Sequence, residues 1–372
     1  MIDKVKLMAM YLPQYHEIPE NDEFWGKGFT DWTTVKSAKQ YFKDVKQPKV
    51  PLNDNYYDLS KMETLEWQVK LAKEYGIDGF CFYHYWFSSN KQLLQTPAEN
   101  FLKNKELDIH FCFAWDNAPW KRTWSTQFGN DWAPIFDDDN VKQKGPSLLI
   151  NFEYGTEQDW EKHFNYLLPF FKDTRYLKKG NKPVFILWNY YEIDKIKRML
   201  KYWNKRAVDF GFDGVYVIFK FSKKYETCGL GDASFFYEPI HAGWERSGIF
   251  SRIMVKMFRI VTKGRFPRKY SYDVIWMNIL RQAKKYKYNN VYYGSFVNYD
   301  DTPRRGADGR LVSNGNPIKF CKYLKKLFCL SKNSGKEFVF LTAWNEWGEG
   351  AYLEPDKYDK FDYLKMILKL KR

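Results

Sequence analysis

The sequence predicts a single (β/α)8 barrel, an α/β fold in which eight parallel strands are each followed by a covering segment. Three observations lead there. Eight short, β-rich apolar runs recur along the 372 residues. The runs are near-continuously apolar rather than alternating, as strands buried on both faces are. Amphipathic, helix-like stretches separate them, which argues a parallel α/β architecture.

The runs occupy residues 5–12, 79–85, 109–115, 183–188, 214–219, 233–237, 291–297 and 338–344. The stretch at 65–75, LEWQVKLAKEY, leads into Gly76-Ile77-Asp78-Gly79, a helix stop followed by a strand start. Residues 203–210 lead into Gly211-Phe212-Asp213-Gly214 in the same way, an internal echo of one βα unit. The chain is long enough for a barrel of about 250 residues with loop insertions. The alternative, a doubly wound sheet, needs a Gly-rich phosphate turn after its first strand. Leu12-Pro13-Gln14-Tyr15-His16 is no such turn.

Hydrophobic residues make up 44% of the chain, enough for a large core without covalent staples. The five cysteines show no CxxC spacing, and Cys81 and Cys112 sit inside apolar runs, so a reducing compartment is expected. The N-terminus has no charged-then-apolar leader, and no stretch of about 20 apolar residues predicts a membrane span. The Asp137-Asp138-Asp139 run reads as a solvated turn.

Aromatic residues reach 20%, with 15 Trp and 28 Tyr, and the net charge is +15. The Phe content belongs to a core. The excess of Trp and Tyr points to sugar binding, where apolar C–H faces pack on amphipathic rings. No nucleic-acid-binding motif accompanies the positive charge. Part of that charge lies at 249–269, where Ile249, Phe250, Ile253, Met254, Met257, Phe258, Ile260 and Val261 interleave with Arg252, Lys256, Arg259, Lys263, Arg265, Arg268 and Lys269. Such a segment is either a barrel-covering helix with a solvated basic side or a helix lying on an anionic membrane face.

Barrel active sites lie at the C-terminal ends of the strands. Polar and aromatic residues follow six of the eight runs. They include Tyr11, Gln14 and His16 after the first, Tyr83, His84 and Tyr85 at the second, and Trp115 and Asn117 at the third. Tyr237 and Glu238 end the sixth, Asp301 and Arg304 follow the seventh, and Asn345 and Trp347 the eighth. With Trp32, these form the expected substrate-binding set. Trp344-Asn345-Glu346-Trp347-Gly348-Glu349-Gly350 supplies two carboxylates three residues apart. Breaking or making a glycosidic bond needs one group to protonate the departing oxygen and another to assist at the anomeric carbon. Two Glu in different surroundings can hold those protonation states, so Glu346 and Glu349 are the expected catalytic pair. The five histidines show no HExxH or His-x-His spacing and no G-x-S-x-G elbow is present, so neither a metal nor Ser/His/Asp catalysis is expected, and no cofactor is implied.

These motifs resemble the WbsX-type glycosyltransferase family of bacterial O-antigen and capsule biosynthesis, itself similar to glycoside hydrolase family 99, the endo-α-mannosidases. The resemblance runs from Tyr11-Leu12-Pro13-Gln14-Tyr15-His16 through 19–32, 76–87 and 301–305 to Trp344–Gly350 and Leu353-Glu354-Pro355. It implies one catalytic barrel over 1–372, with 249–269 an insertion. It implies a retaining mechanism in which Glu346 takes the proton of the sugar 2-hydroxyl, forming a 1,2-anhydro sugar, while Glu349 serves as general acid and then base. The family has an acid in a Trp-Ala-Asn-Glu-Asn-Trp-like run after strand three. Here the run is Trp115-Asp116-Asn117-Ala118-Pro119-Trp120, which leaves that sugar contact missing or remade by Asp116. Three functions follow: a transferase on oligosaccharide or lipid-linked glycans at the cytosolic membrane face, a retaining endo-α-glycosidase, or a non-catalytic glycan-binding barrel.

Overall fold

The structure, a computed structural model, describes residues 5–123, 146–226, 228–246 and 248–372; Asp137-Asp138-Asp139 lie outside them. The eight barrel strands are β1 (Lys6–Tyr11), β2 (Gly79–Ser88), β3 (His110–Trp115), β4 (Lys182–Leu187), β5 (Tyr216–Lys220), β6 (Ala233–Phe235), β7 (Val291–Phe296) and β8 (Phe338–Thr342). Each pairs in parallel with the next in chain order. β8 returns to β1, with Ala9 opposite Leu341, and closes the ring. All eight apolar runs are therefore strands of one barrel. β6 ends at Phe235, two residues short of its run, which leaves Tyr237 and Glu238 in the loop above it.

The covering helices are α1 (Met62–Glu74), α2 (Thr96–Lys103), α3 (Glu157–Lys172), α4 (Ile193–Asp209), α5 (Ile249–Val261), α6 (Tyr272–Lys285), α7 (Pro317–Asn333) and α8 (Asp362–Lys371). Their ends follow from local chemistry. Thr156 and Asp159 form a capping box at the start of α3, and the Asn316 side chain accepts from Lys319 N at the start of α7, with Pro317 in its first turn. Among the described residues, the helical element between β5 and β6 is a short 3-10 turn, Lys223–Tyr225. A π-helical turn, His241–Glu245, and the helices α5 and α6 lie between β6 and β7, so α5 is an addition to the repeating unit.

Much of the aromatic content fills the layer between strands and helices. Phe82, Phe101 and Phe111 pack edge to face there, as do Phe113 and Phe170, with ring centroids 4.8–6.3 Å apart. A smaller interior group, including Phe235 and Phe340, plugs the barrel beneath its C-terminal mouth.

Candidate active site

The chain after β8 forms a small hairpin. Asn345 and Glu346 pair antiparallel with Tyr352 and Ala351, and the 3-10 turn Trp347–Glu349 joins the two arms. Both acids of the motif therefore stand on one short rigid element. The turn is anchored from two sides. Leu12 N donates to Asn345 Oδ1 at 2.7 Å and Asn345 Nδ2 donates to Leu12 O at 2.9 Å, which fastens it to the end of β1. Asp300 N donates to Glu349 O at 2.6 Å, which fastens it to the loop after β7.

That loop brings in Arg304, whose guanidinium lies 3.0 Å from Glu349, 2.9 Å from Asp31 and 3.5 Å from Glu346. The first two contacts are also hydrogen bonds. The third is an ion pair without hydrogen-bond geometry, and Glu346 Oε2 has no hydrogen-bond partner among the described residues. Two buried carboxylates, Asp31 and Glu346, and the partly exposed Glu349 thus share one cation. Gly348 explains the glycine between the acids: a Cβ there would stand 2.6 Å from Arg304 Nε and 2.7 Å from Asp31 Oδ2. Gly350 has φ +56°, and a Cβ on it would press to 3.0 Å from Asp300 Cβ.

The acids are not equivalent. Glu346 is 4% exposed, whereas the Glu349 side chain is 19% exposed. Burial, then repulsion from Glu349, pushes Glu346 well above the usual carboxylate range against the pull of Arg304. Burial also raises Glu349, opposed first by Arg304. Two like charges sharing one cation favour retention of a proton on the pair.

Tyrosines complete the mouth. The Tyr83 and Tyr237 hydroxyls meet at 3.0 Å; burial raises both pKa values, and the charges of Glu346 and Glu349 add to it. Gln14 Nε2 donates to the Tyr85 hydroxyl at 2.9 Å, and Asp116 and Glu346 act on the same hydroxyl. The Tyr15 hydroxyl lies 2.8 Å from Asn345 O and 3.1 Å from Asp31 Oδ2, and accepts from Trp347 N at 3.0 Å.

Residues 7–367 of the chain match the glycosyltransferase WbsX family. The chain belongs to that family. The uncharacterized protein WxcX of Xanthomonas campestris pv. campestris is 28% identical over 357 residues, 94% of this chain and 47% of the relative. The chain thus spans about half the length of the curated relatives it matches. In architecture it is similar to the GH99 endo-alpha-mannosidase of Bacteroides thetaiotaomicron, with TM-score 0.57, 12% identity, and 98% and 95% of the two chains covered. A glycoside hydrolase-like protein is similar to the same degree, with TM-score 0.57, 12% identity and coverage of 100% and 94%. At that identity the two solved structures share the fold alone.

Within this WbsX-family barrel the structure brings together Glu346, Glu349, Arg304, Gln14, Tyr83, Tyr85 and Tyr237. Other members of the expected substrate-binding set lie elsewhere. Tyr11 is fully buried with its hydroxyl on Gln68 of α1. His84 Nε2 lies 2.8 Å from His163 Nε2 of α3, and burial lowers its pKa to about 3. Trp115 donates to Trp86 O at 2.9 Å and packs against His163 and Trp203. All three occupy the strand–helix layer, because alternate residues of a strand face opposite ways. Asn117 is a clamp: its amide donates to Tyr154 and Asn189 O and accepts from Trp188 N and Asn189 N. Asn345 is the same kind of clamp on Leu12.

Trp347 stacks on Tyr352 with centroids 3.7 Å apart and donates to Glu354 Oε2 at 2.7 Å. Glu354 also accepts from Tyr57 and Gln68, and burial raises it to about 7. Trp32 donates to Tyr57 O at 2.8 Å and packs on Trp347 and Tyr15, so both tryptophans brace the site from behind. Asp301 braces the Arg304 loop through Arg310 N, Tyr299 and Arg305. Glu238 accepts from Ala242 N at 2.8 Å, which holds the turn after β6. His16 is buried, with Asp58 opposing the fall that burial imposes on its pKa.

Sequence reasoning missed Asp31 as a site residue, and it placed Tyr15 at the end of the first strand without giving it a role in the site. Both fall inside stretches that carry the family resemblance, the one signal that could have found them. No local spacing ties Asp31 to an arginine 273 positions away.

Proposed function

We propose that the chain is a retaining glycosyltransferase of surface-polysaccharide assembly in which Glu346 and Glu349 carry the chemistry. The observation that supports it is the carboxylate pair joined through Arg304, whose crowded like charges favour keeping one proton available for a departing glycosidic oxygen. In the first step the 2-hydroxyl gives its proton to Glu346 and its oxygen bonds to the anomeric carbon. The bond to the leaving oxygen breaks, and that oxygen takes a proton from Glu349. In the second step Glu349 takes the proton of an acceptor hydroxyl, which opens the 1,2-anhydro ring, and Glu346 returns its proton to the 2-oxygen. Two inversions give net retention.

This division follows the resemblance, whereas the deeper burial of Glu346 and the closer contact of Arg304 with Glu349 favour the proton on Glu346. Donors with an activated leaving group separate the two. They restore the first step in Glu349→Gln if Glu349 is the acid, and in Glu346→Gln if the roles are reversed. Hydrolysis is the second reading, supported by a site that needs only water in place of the acceptor. Mass spectrometry of products decides between them. Extended lipid-linked acceptors, formed only with a donor, support the transferase; shortened α-linked oligosaccharides without any donor overturn it.

We also infer that α5 seats the barrel on an anionic membrane surface. Ile249, Ile253, Met254, Met257, Ile260 and Val261 are 48–78% exposed, so the apolar side of this helix faces outward instead of covering the barrel. At 3.6 residues per turn they span an arc of about 140°, with Lys256 and Arg252 along one edge. Arg259 donates to Ala307 O and Asp308 Oδ1, both at 2.7 Å, and so ties α5 to the loop that carries Arg304. A helix inserted after β6 emerges on the catalytic face, so docking would turn the mouth toward lipid-linked glycans. No helix among the described residues is long and apolar enough to cross a membrane. Cosedimentation with phosphatidylglycerol-containing vesicles should fall at least tenfold in Ile253→Asp/Met257→Asp, and more modestly in Arg252→Glu/Lys256→Glu. Absence of binding by the parent chain, or a dimer that the apolar substitutions dissolve, overturns it.

A further inference from the structure

A cavity of about 440 Å³ opens beside the catalytic mouth, at the ends of β4 and β5 and under the turn after β6. The mechanism above makes no use of it. Its walls combine two kinds of side chain. Trp188, Tyr190 and Tyr225 supply rings, with Tyr190 stacked on Tyr225 at 4.5 Å and 19°. Lys220, Lys224 and Arg246 supply cations. Lys220 Nζ stands 5.4 Å over the Trp188 ring and Lys224 Nζ 5.1 Å over Tyr225, so charge and aromatic faces meet on the same surfaces. The fourth cation of the lining, Lys223, is paired with Glu226; Glu245, the acid of the lining, is held below the ordinary carboxylate range first by its hydrogen bond with His241 and also by the nearby charges of Lys220 and Arg246, so the four cations of the lining outnumber its acid.

Trp188 belongs to this cavity and to the active site at once. Its ring packs 5.3 Å from Tyr83 and 4.9 Å from Tyr237, the two tyrosines whose hydroxyls meet beside the glutamates. A glycan held with one sugar at Glu346 and Glu349 would therefore carry the adjoining part of its chain past Trp188 into the cavity. Rings there suit the apolar faces of a sugar, and clustered cations suit an acidic substituent.

We propose that this cavity is a subsite for a sugar bearing an anionic group, a carboxylate or a phosphate, next to the bond being made or broken. Lys220, Lys224 and Arg246 bind the anion, and Trp188 and the Tyr190–Tyr225 pair bind the ring. The subsite deepens the glycosyl-transfer reading and rests on it for its place along the substrate, but its charge selectivity is a property of the cavity alone.

The test is isothermal titration of the catalytically silent Glu346→Gln chain with glucuronate-containing oligosaccharides and with the same compounds carboxyl-reduced. We expect the acidic compounds to bind at least tenfold more tightly, with affinity falling as salt rises. Lys220→Gln/Arg246→Gln should erase that preference without shifting the melting temperature. Inorganic pyrophosphate is titrated in parallel: displacement of the oligosaccharide identifies phosphate as an equally accepted anion, and no displacement identifies the carboxylate. Equal affinity for acidic and reduced compounds, an unchanged preference in the double variant, or binding of none of the probes overturns the subsite. Loss of turnover cannot produce these results, because the binding is measured in a chain that does not turn over. Charge-selective binding with normal activity of Glu346→Gln would sink the catalytic reading and leave the subsite standing.

Discussion

The barrel mouth and the layer between strands and helices contain the same residue types, and the chain uses them in opposite ways. β2 passes through both. Tyr83 and Tyr85 point into the mouth, where their hydroxyls meet Tyr237 and Gln14 within reach of the field of Glu346. His84, between them, points outward and is closed against His163 beneath Trp86 and Tyr166. In the outer layer His84 is matched to one partner, the ring nitrogen of His163. In the mouth, three carboxylates share one arginine. The difference teaches that a run of consecutive functional-looking residues on a buried strand divides between chemistry and support.

The sharpest way to break this comparison is at the carboxylates. Glu346→Gln and Glu349→Gln should each lower turnover by about 10²–10⁴-fold, within the range expected for a positioned acid or base. Melting temperatures should stay close to the parent, since amides replace carboxylates of the same shape. Normal turnover in both variants would remove the pair from the mechanism. Next in size is Arg304→Ala. It strands Asp31, Glu346 and Glu349 together without their cation and should cost about 3–5 kcal/mol in chemical denaturation, with activity lost. Near-parent stability would mean that the three acids do not depend on it.

The clamps give a smaller effect of another kind. Asn345→Ala and Asn117→Ala each remove hydrogen bonds to backbone groups that stay buried, at a cost of about 1–3 kcal/mol. If Asn345 is a clamp and not a substrate contact, KM should change little in the fraction that remains folded. A large rise in KM at unchanged stability would return it to the substrate.

Glu238 sharpens the comparison through pH. Burial lifts its carboxyl from the ordinary 4.5 to about 8, and Oε1 has no hydrogen-bond partner among the described residues. Between those values the folded chain keeps a proton that the unfolded chain has released. The folded state binds more protons, so stability falls as pH rises, by at most roughly 1.4 kcal/mol per unit. Glu238→Gln removes this dependence, and its advantage in melting temperature over the parent should widen from pH 5 to pH 8. Parallel melting curves across that window would show that the ionised carboxylate is accommodated.

Much of the fold was legible in the sequence, because a strand buried on both faces must be apolar throughout and eight such runs stand out from amphipathic surroundings. The turn that carries Glu346 and Glu349 was legible for a related reason. Two acids bracketed by tryptophans and glycines within seven residues form a local pattern, and the barrel rule places it at the end of β8. Which neighbours act with that turn was not legible. The role of Asp31 depends on Arg304, and that of Gly348 on the ion pair passing 2.6–2.7 Å from where its Cβ would be. The exposed apolar side of α5 was open too, since one amphipathic period serves a helix facing the core and a helix facing away.

By itself, then, the sequence determined the alternation of strand and helix and the carboxylate pair, because periodicity, helix stops and short motifs act between residues close in the chain. Only the tertiary structure decided which side of β2 faces the mouth, which asparagines are clamps, and that Trp32 and Trp347 stand behind the site. Those outcomes depend on barrel closure, which sets β1, the loop after β7 and the turn after β8 side by side. Partners hundreds of residues apart then compete for the same buried hydrogen bonds, and that competition separates the residues that hold the site from those that work in it.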